Sequence, residues 1–381
     1  MAATSVQDTS GSIVTRTFIG RTTPPLDPEH SLASQIPLRQ FSLERMMAYG
    51  VHHADAVELR GRVAAGESWK SVATELAETC LAPPEGSVSP LSSITRSNRL
   101  YRASALLRMS QMLMLSDDDE RRAIVVRAAA LYQEAADLTG DRQKLITPTD
   151  QGELSGWFYP ARTATRVGCA VVIGGVEGWA MDFGPLGLAL ADRGVDTLLL
   201  DGPGQGESRM VHGHFLTPAW RSGYAAVFDH LSAKTGGAPL AFIGNSMGGS
   251  VAMDLAATNP MIAACCENGG PLDPLRPRAN TTFFTKMIAH CGEVDEETAA
   301  AIWGTVRPTP AQASVTCPLL VVHGGLDPLV PMEDSTAIFD WASSADKRMV
   351  VFSDGDHCVY NHQDDKHNLI GDWVASRLKR A

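Results

Sequence analysis

The sequence contains 381 residues, of which 44% are hydrophobic and 20% are charged, and its formal net charge is −11. This length allows one large domain together with an accessory domain, and the composition is ordinary for a soluble globular protein. The negative charge argues against nucleic acid as a partner. Because the sequence has no run of about 18 apolar residues, it predicts no membrane-spanning helix and no membrane partner.

The N-terminal residues and the cysteines indicate the cellular compartment of the protein. Residues 1–12 are polar and lack the apolar core of a secretory signal. The seven cysteines are scattered along the chain, and no C-x-x-C motif occurs. This pattern is typical of reduced, mostly buried thiols, and we therefore predict a cytoplasmic protein.

The first part of the chain predicts a helical domain that follows a flexible arm. Residues 1–35 are rich in Ser, Thr and Pro and show no clear hydrophobic period, which favours an arm without fixed structure. Residues 36–143 are predicted to form a helical cap domain. Its candidate helices span residues 42–49, 54–65, 68–81, 98–115 and 116–139. Ser116 is expected to cap the last helix, and Gly140 is expected to end it.

The hydrophobic period then changes, and residues 144–381 predict an α/β domain. Two short apolar runs, 145–147 and 154–159, flank a turn and predict a hairpin. Further apolar runs alternate with helical segments, which predicts a mostly parallel, doubly wound sheet. The predicted strands span residues 168–173, 196–200, 240–243, 262–266, 319–322 and 349–352, and the predicted helices residues 186–193, 218–231 and 250–258. The segment 270–316 is longer than a normal crossover between parallel strands, and it is predicted to form a lid insertion.

A pattern G-x-S-x-G occurs at residues 244–248, between a predicted strand and a helix of small residues. It is typical of the nucleophile elbow of α/β-hydrolases, in which a sharp turn exposes the serine, here Ser246, at a helix N-terminus. Gly244 and Gly248 remove the side chains that would clash where strand and helix cross. A Gly/Ser turn that matches by chance is the alternative, and the further motifs, found in the order of that fold, argue against it.

A serine hydroxyl needs a general base, and the base needs an orienting acid. In α/β-hydrolases the order along the chain is serine, acid, histidine. Asp327 and His357 each follow a predicted strand, so both are expected at the sheet edge that carries Ser246. A turn-capping role is the alternative for Asp327. Asp354 and Asp356 are rival acids, but they share a loop with His357 and are expected to be turn residues.

The loop that follows the first central strand is expected to complete an oxyanion hole, which needs two backbone donors. We predict the N–H groups of Met247 and Val176, with the N–H of Glu177 as second choice. The Glu177 side chain either faces solvent or is a poised acid/base. In the second case, the apolar neighbours Val176 and Trp179 are expected to raise its pKa.

Two further motifs are not assigned to the chemistry. Residues 201–208 are Gly-rich, but they lack the spacing G-x-G-x-x-G and no helix is expected to start at once. They predict a structural loop near the site and not a phosphate cradle. His212 and His214 are two possible metal ligands, but no third partner is evident, and no metal is predicted.

Four motifs carry a family resemblance. They are Gly174-Gly175-Val176-Glu177, Asp201-Gly202-Pro203-Gly204-Gln205-Gly206-Glu207, Gly244-x-Ser246-x-Gly248-Gly249 and Asp354-Gly355-Asp356-His357-Cys358. Together they resemble the 2,6-dihydroxypseudooxynicotine hydrolases and their relatives, which include fungal polyketide-shortening hydrolases.

The resemblance extends over most of the chain and implies an α/β-hydrolase fold with an N-terminal helical cap domain. It implies a catalytic triad of Ser246, Asp327 and His357. It further implies a role for Glu177 in cleaving a carbon–carbon bond next to a ketone, and a homodimer formed through the helical domain. The loop after Glu177, which includes Trp179, departs from the family pattern, so the substrate itself does not carry over.

We therefore predict a serine hydrolase that needs no cofactor and that cleaves a C–C bond next to a ketone in an aromatic or polyketide-like small molecule. Gly175 and Trp179 are predicted to contact this substrate. An esterase or lactonase with the same triad is the close alternative. A non-catalytic ligand-binding protein of the same fold is the rival from another class, and the complete triad argues against it.

Overall fold

The computed structural model describes residues 11–16, 32–83, 90–307 and 314–381. Within these ranges the chain builds one nine-stranded sheet with helices on both faces. The strands are β1 (Ile13–Arg16), β2 (Gln143–Thr149), β3 (Gly152–Tyr159), β4 (Gly168–Ile173), β5 (Val195–Leu200), β6 (Leu240–Asn245), β7 (Ile262–Asn268), β8 (Leu319–Gly324) and β9 (Lys347–Phe352).

The sheet is parallel except at one edge. Its strand order is β1-β9-β8-β7-β6-β4-β5-β3-β2. β3 runs antiparallel to β5 and to β2, and the other neighbours are parallel. The predicted hairpin and the predicted mostly parallel sheet are thereby confirmed. In such a sheet the carboxyl ends of the parallel strands share one edge, so the loops after β4, β6, β8 and β9 lie together.

The helical region comprises six helices between residues 32 and 139, as far as the structure describes them. They are α1 (Leu32–Gln40), α2 (Leu43–Ala48), α3 (His53–Ala64), α4 (Trp69–Leu81), α5 (Ser93–Ser110) and α6 (Asp119–Thr139). α5 starts earlier than predicted because Ser92 caps it and accepts the N–H of Thr95. Asp118, and not the predicted Ser116, caps α6, and Gly140 ends it in the left-handed conformation.

The described part of the predicted N-terminal arm is not without structure. β1 pairs in parallel with β9, in a register that places Ile13 beside Met349. β-branched residues at 13–15 favour such an extended strand, although the segment is too short to show a period. Residues 1–10 and 17–31 of the predicted arm lie outside the described residues.

The remaining helices cover the sheet. They are α7 (Gly184–Ala191), α8 (Gly206–Met210), α9 (Trp220–Thr235), α10 (Met247–Thr258), α11 (Thr281–His290), α12 (Glu296–Trp303), α13 (Met332–Trp341) and α14 (Gln363–Leu378). The five-residue helix α8 starts inside the Gly-rich segment 201–208, where no immediate helix start was expected. None of the helices in the described ranges is both long and apolar enough to cross a lipid bilayer.

Both faces of the central strands are buried, because helices cover the sheet on each side. Along β4, Val171 and Ile173 point to one face while Ala170 and Val172 point to the other, and all four are fully buried. The first face packs against α9 and α10, and the second against α7 and α14. Parallel strands that are buried on both faces have continuous apolar sequences, which explains why these strands could be predicted.

A buried ion pair connects the helical region to the sheet. Arg108 on α5 pairs with Asp182, which lies in a 3-10 turn (Ala180–Phe183) that follows the loop after β4. Both side chains are at most 2% exposed. Asp182 also accepts a hydrogen bond from the N–H of Trp179 at 2.8 Å. The pair therefore fixes α5 against the loop after β4.

Removal of the acidic partner should destabilise the protein. In Asp182→Ala, the guanidinium of Arg108 would stay buried without its counter-charge, which costs about 3–5 kcal/mol. Glu134→Ala is the matched control, because Glu134 and its partner Arg96 are half exposed and such pairs contribute about 0–1 kcal/mol. Urea denaturation measures the free energy of unfolding of each variant. Equal losses in the two variants would contradict an anchoring role for the buried pair.

Candidate active site

Ser246 stands in a strained turn between β6 and α10. Its φ of 55° and ψ of −131° lie where non-glycine residues are rarely found. The turn is tight because strand and helix cross backbone to backbone, and a β-carbon on Gly244 would overlap the carbonyl oxygen of Gly248. The N–H of Ser246 donates to the carbonyl oxygen of Asn268 at 2.9 Å. The hydroxyl is thereby presented at the carboxyl edge of the sheet.

Asp327, His357 and Ser246 form one hydrogen-bonded chain. Nε2 of His357 lies 2.9 Å from Oγ of Ser246, and Nδ1 lies 2.8 Å from Oδ2 of Asp327. Oδ1 of Asp327 accepts the N–H groups of Leu329 and Val330 at 2.8 and 3.0 Å. The structure thus brings together the three residues predicted for the triad, and both oxygens of the carboxylate are fixed.

The rival acids have other partners in the loop they share with His357. Oδ1 of Asp354 accepts a hydrogen bond from Nε2 of His362 at 2.7 Å. Asp356 caps the 3-10 turn that starts at His357, where its carboxylate accepts two backbone N–H groups. Among the acids that the structure describes, Asp327 is the one in contact with the imidazole of His357.

The charges of Asp327 and His357 support each other. Burial alone would raise the pKa of Asp327, but the hydrogen bond from His357 and two backbone N–H groups hold it below its ordinary value. Burial also opposes a charge on His357, yet its neighbours Cys358 and Asp327 raise its pKa above the ordinary 6.5. An ionised carboxylate stabilises the imidazolium that forms when the ring accepts a proton. His357 is therefore a stronger base than a free imidazole.

The loop is strained directly after His357. Cys358 and Val359 have φ values of 55° and 56°, and a β-branched residue such as valine is rarely found in this left-handed region. Nζ of Lys366 donates to the carbonyl oxygen of Cys358 at 2.8 Å. The thiol of Cys358 contacts the carbonyl oxygen of Asn268 at 3.5 Å. These contacts hold the conformation that directs the imidazole toward the serine.

In the part of the chain that the structure describes, two backbone N–H groups beside the serine have no protein acceptor. Within the described ranges, no hydrogen bond is donated by the N–H of Val176 or by that of Met247. A β-carbon on Gly175 would lie 2.9 Å from Oγ of Ser246 and 3.1 Å from the nitrogen of Met247. The backbone that leads to Val176 therefore passes directly along the hydroxyl. Two unpaired donors beside a nucleophile are what an oxyanion hole requires.

A cavity of about 1240 Å³ opens onto Ser246 and His357. Its wall is built by the helical region, by the loops after the strands and by the segment between β7 and β8. Ile36, Leu326 and Leu329 line it and are each more than half exposed, so part of its rim is apolar. A cavity of this size accommodates a drug-sized organic molecule.

The side chain of Glu177 lies in this cavity and is 8% exposed. Its carboxylate accepts a hydrogen bond from Nη2 of Arg45 on α2 at 3.0 Å. It also accepts hydrogen bonds from Gln40 on α1 and from Lys286 on α11. One carboxylate therefore joins the helical region, the loop after β4 and the segment between β7 and β8.

The predicted direction of the pKa of Glu177 is wrong. Burial does act to raise it, but the charges of Lys286 and Arg45 and their hydrogen bonds outweigh burial, and the pKa lies below its ordinary value. Glu177 is therefore ionised at neutral pH. These two partners are 109 and 132 residues away in the sequence, so the local motif could not indicate them.

Trp179 does not reach the cavity, contrary to the prediction. Its side chain is 3% exposed and packs against Val125 of α6 and Met210 of α8. The reason is the carboxylate of Asp182, which binds the N–H of Trp179 and turns the loop so that the indole faces the helical region. Gly175, the other predicted substrate contact, is not among the residues that line the cavity; its backbone lies close to Ser246, where an added side chain would not fit.

Arg45, Lys286 and Tyr360 are cavity residues that the sequence analysis missed. The guanidinium of Arg45 lies over the rings of Tyr49 and Tyr360, at 5.3 and 5.7 Å from their centres. Tyr360 could have been found, because it follows His357 by three residues. No signal marks Arg45 or Lys286, since a basic residue on a helix usually faces solvent.

The two histidines considered as metal ligands have separate surroundings. Nδ1 of His212 lies 2.9 Å from a carboxylate oxygen of Glu153. His214 is fully buried, and its Nδ1 lies 3.4 Å from the hydroxyl of Thr149. Within the part of the chain that the structure describes, no three His, Cys, Asp or Glu side chains are grouped so as to hold a metal ion.

The sequence and the structure are similar to those of known proteins. The sequence profile of the Alpha/beta hydrolase family matches residues 170–366. The chain is 25% identical over 345 residues to the 2,6-dihydropseudooxynicotine hydrolase of Paenarthrobacter nicotinovorans, covering 87% of this chain and 90% of that protein. The hydrolase LUC6 of a Fusarium species is 28% identical over 226 residues, which cover 54% of this chain and 53% of that protein.

The fold also matches a solved structure. The crystal structure of 2,6-dihydroxy-pseudo-oxynicotine hydrolase superposes with a TM-score of 0.76 at 24% identity, over 88% of this chain and 95% of that one. The resemblance and the fold predicted from the motifs are thereby confirmed.

The contacts of His357 predict which acid sets its pKa. In Asp327→Asn the imidazolium loses its counter-charge, so the pKa of His357 should fall toward 6.5. Asp354→Asn is the matched control and should leave that pKa in place, because Asp354 contacts His362. NMR titration of the histidine ring protons measures both values. An equal change in the two variants would show that Asp327 is not the acid that matters.

Proposed function

The chain belongs to the alpha/beta hydrolase family and is a hydrolase, and we propose that Ser246 is its nucleophile, His357 its general base and Asp327 the orienting acid. The observation that carries this proposal is the hydrogen-bonded chain of these three residues at the wall of a large cavity. A serine in this setting transfers its proton to the imidazole as it attacks a carbonyl carbon.

The proposed reaction has two stages. Oγ of Ser246 attacks the substrate carbonyl while its proton passes to Nε2 of His357, and the oxyanion accepts hydrogen bonds from the N–H groups of Val176 and Met247. The imidazolium then gives its proton to the leaving group, which departs and leaves an acyl-enzyme. A water molecule, deprotonated by His357, attacks the acyl carbon and releases the acid and the free serine.

The bond we propose to be broken is a C–C bond next to a ketone in an aromatic or polyketide-like small molecule. The motif resemblance implies this activity, and the relative from Paenarthrobacter nicotinovorans is named for the hydrolysis of 2,6-dihydropseudooxynicotine. The volume of the cavity and the apolar part of its rim suit a substrate of this kind.

The ionised state of Glu177 determines which proton transfers it can make in such a cleavage. A carboxylate can accept the proton of an enol or phenol hydroxyl of the substrate and return it to the adjoining carbon. The substrate then reacts in its ketone form, with no net change in protons, and its C–C bond is easier to break. Lys286 and Arg45 keep Glu177 ionised for this step.

Hydrolysis of an ester or lactone by the same three residues is the second candidate. The ionised state of Glu177 favours it, because a carboxylate without a proton cannot directly protonate a departing carbon. An oxygen leaving group needs only the proton carried by His357. The two candidates therefore differ in how much they depend on Glu177.

Ser246→Ala tests the nucleophile. Its kcat should fall by about 10⁶, while the oxyanion hole and substrate binding retain about 10³–10⁴ over the reaction in water. A fluorophosphonate should label the wild-type protein at Ser246 and should not label the variant. Ser222→Ala, at an exposed serine of α9, is the control and should keep both activity and labelling. Activity of Ser246→Ala within a few-fold of wild type would overturn the proposal.

Glu177→Gln separates the two candidate reactions. Its kcat for a hydroxyaryl ketone should fall by about 10²–10⁴, the usual contribution of one acid/base group, and its kcat for an aryl ester should change little. Glu44→Gln removes another carboxylate from the cavity wall and is the matched control for both substrates. An equal loss of kcat on both substrates would make Glu177 a structural residue. A wild-type protein that hydrolyses the ester but not the ketone would favour the second candidate.

A further inference from the structure

Gln205 binds the loop that precedes the proposed oxyanion donor. Its Nε2 donates hydrogen bonds to the carbonyl oxygens of Gly174 and Gly175, each at 2.8 Å. Its Oε1 accepts the N–H of Gly202 at 2.9 Å, which fixes the orientation of the amide. The side chain is 8% exposed and belongs to the residue just before α8. Both amide hydrogens are therefore used on two successive carbonyl groups of one loop.

The bond to Gly175 determines where the N–H of Val176 points. The carbonyl of Gly175 and the N–H of Val176 belong to one peptide unit, and a trans peptide directs these two groups to opposite sides. Because Gln205 holds the carbonyl on one side of the loop, the N–H faces the other side. That side is the cavity, which Val176 and Ser246 both line.

A second side chain holds the next carbonyl of the same loop. Nε2 of His290 on α11 lies 3.0 Å from the carbonyl oxygen of Val176. Burial lowers the pKa of His290 well below its ordinary value, so the ring is neutral at pH 7. A neutral imidazole has one N–H, and a carbonyl can only accept, so the proton is on Nε2. The loop is thus fixed from two directions, by Gln205 and by His290.

We propose that Gln205 is a positioning residue for the oxyanion hole, whose amide orients the Gly175–Val176 peptide unit before the substrate binds. This inference rests on the proposed function of Ser246 and extends it to a side chain that does not line the cavity. Donors that are oriented in advance stabilise an oxyanion because nothing has to reorganise during the reaction. Without Gln205, His290 still holds the carbonyl of Val176, but no other group in the described part of the chain binds the carbonyl of Gly175, which can then turn toward the developing negative charge.

Gln205→Leu tests the proposal, because it removes both donated hydrogen bonds and keeps the approximate size of the side chain. Its kcat should fall by about 10- to 1000-fold, the upper end being the loss of one oxyanion donor, and KM should change little. An aryl trifluoromethyl ketone, which forms an anionic adduct with a serine, should bind more weakly by the same factor. The corresponding secondary alcohol forms no oxyanion and should bind as it does to wild type.

Gln205→Glu keeps the shape of the side chain and the acceptor for Gly202, but an ionised carboxylate faces the two carbonyl oxygens without a proton to donate. A protonated carboxyl regains one donor. The kcat/KM of this variant, divided by that of wild type at the same pH, should therefore rise as the pH falls. The titration of His357 affects both proteins and cancels in this ratio. A ratio that does not change with pH would count against the proposal.

Gln151→Leu is the matched control, since the amide of Gln151 also donates to a backbone carbonyl, that of Ala219, and lies outside the cavity wall. It should leave kcat and KM unchanged. A Gln205→Leu protein that is less stable in urea but binds the trifluoromethyl ketone as wild type does would show that the amide only connects two loops. Failure of a fluorophosphonate to label the wild-type protein would instead overturn the proposed function, and this inference with it.

Discussion

The edge of the sheet that carries Ser246, Asp327 and His357 depends on backbone packing so close that a side chain would not fit between the loops at its glycines. The turn at Ser246 lies against the loop after β4, where a β-carbon on Gly248 would overlap the carbonyl oxygen of Gly174. The loops after β8 and β9 meet in the same way, since a β-carbon on Gly324 would overlap the carbonyl oxygen of Asp356. The main chain itself therefore sets the separations of Ser246, Asp327 and His357.

This close packing of the loops explains why the positions of Ser246, Asp327 and His357 could be predicted from the sequence. Ser246, Asp327 and His357 each follow a buried strand, and in a parallel sheet consecutive strand ends share one edge. Three local motifs in the right order were therefore enough to predict that the three side chains meet, and the structure places them within hydrogen-bonding distance. The glycines belong to the same local signal, because close contact between backbones excludes other residues.

The incorrect predictions concern groups whose surroundings come from distant parts of the chain. The local neighbours of Glu177 are apolar, but Arg45 and Lys286 reach it from α2 and α11 and reverse the direction of its pKa. Trp179 is turned away by the carboxylate of Asp182, which in turn is paired with Arg108 of the helical region. The strand β1 was missed because four residues are too few to show a period. Packing between distant regions decided the surroundings of Glu177 and Trp179, and a local hydrophobic pattern does not indicate such packing.

The left-handed conformations of Cys358 and Val359 are held by the packing of their side chains. A non-glycine residue in this region costs about 1–3 kcal/mol, a strain that glycine would avoid. Val359, however, is fully buried in the core around β9 and α14, and Cys358 is fully buried in the core of the helical region. Glycine at either position would therefore lose packing that offsets the relief of strain, and the loop would sample more conformations. Thermal stability at this loop thus depends on a buried valine and a buried cysteine, and not on relief of backbone strain.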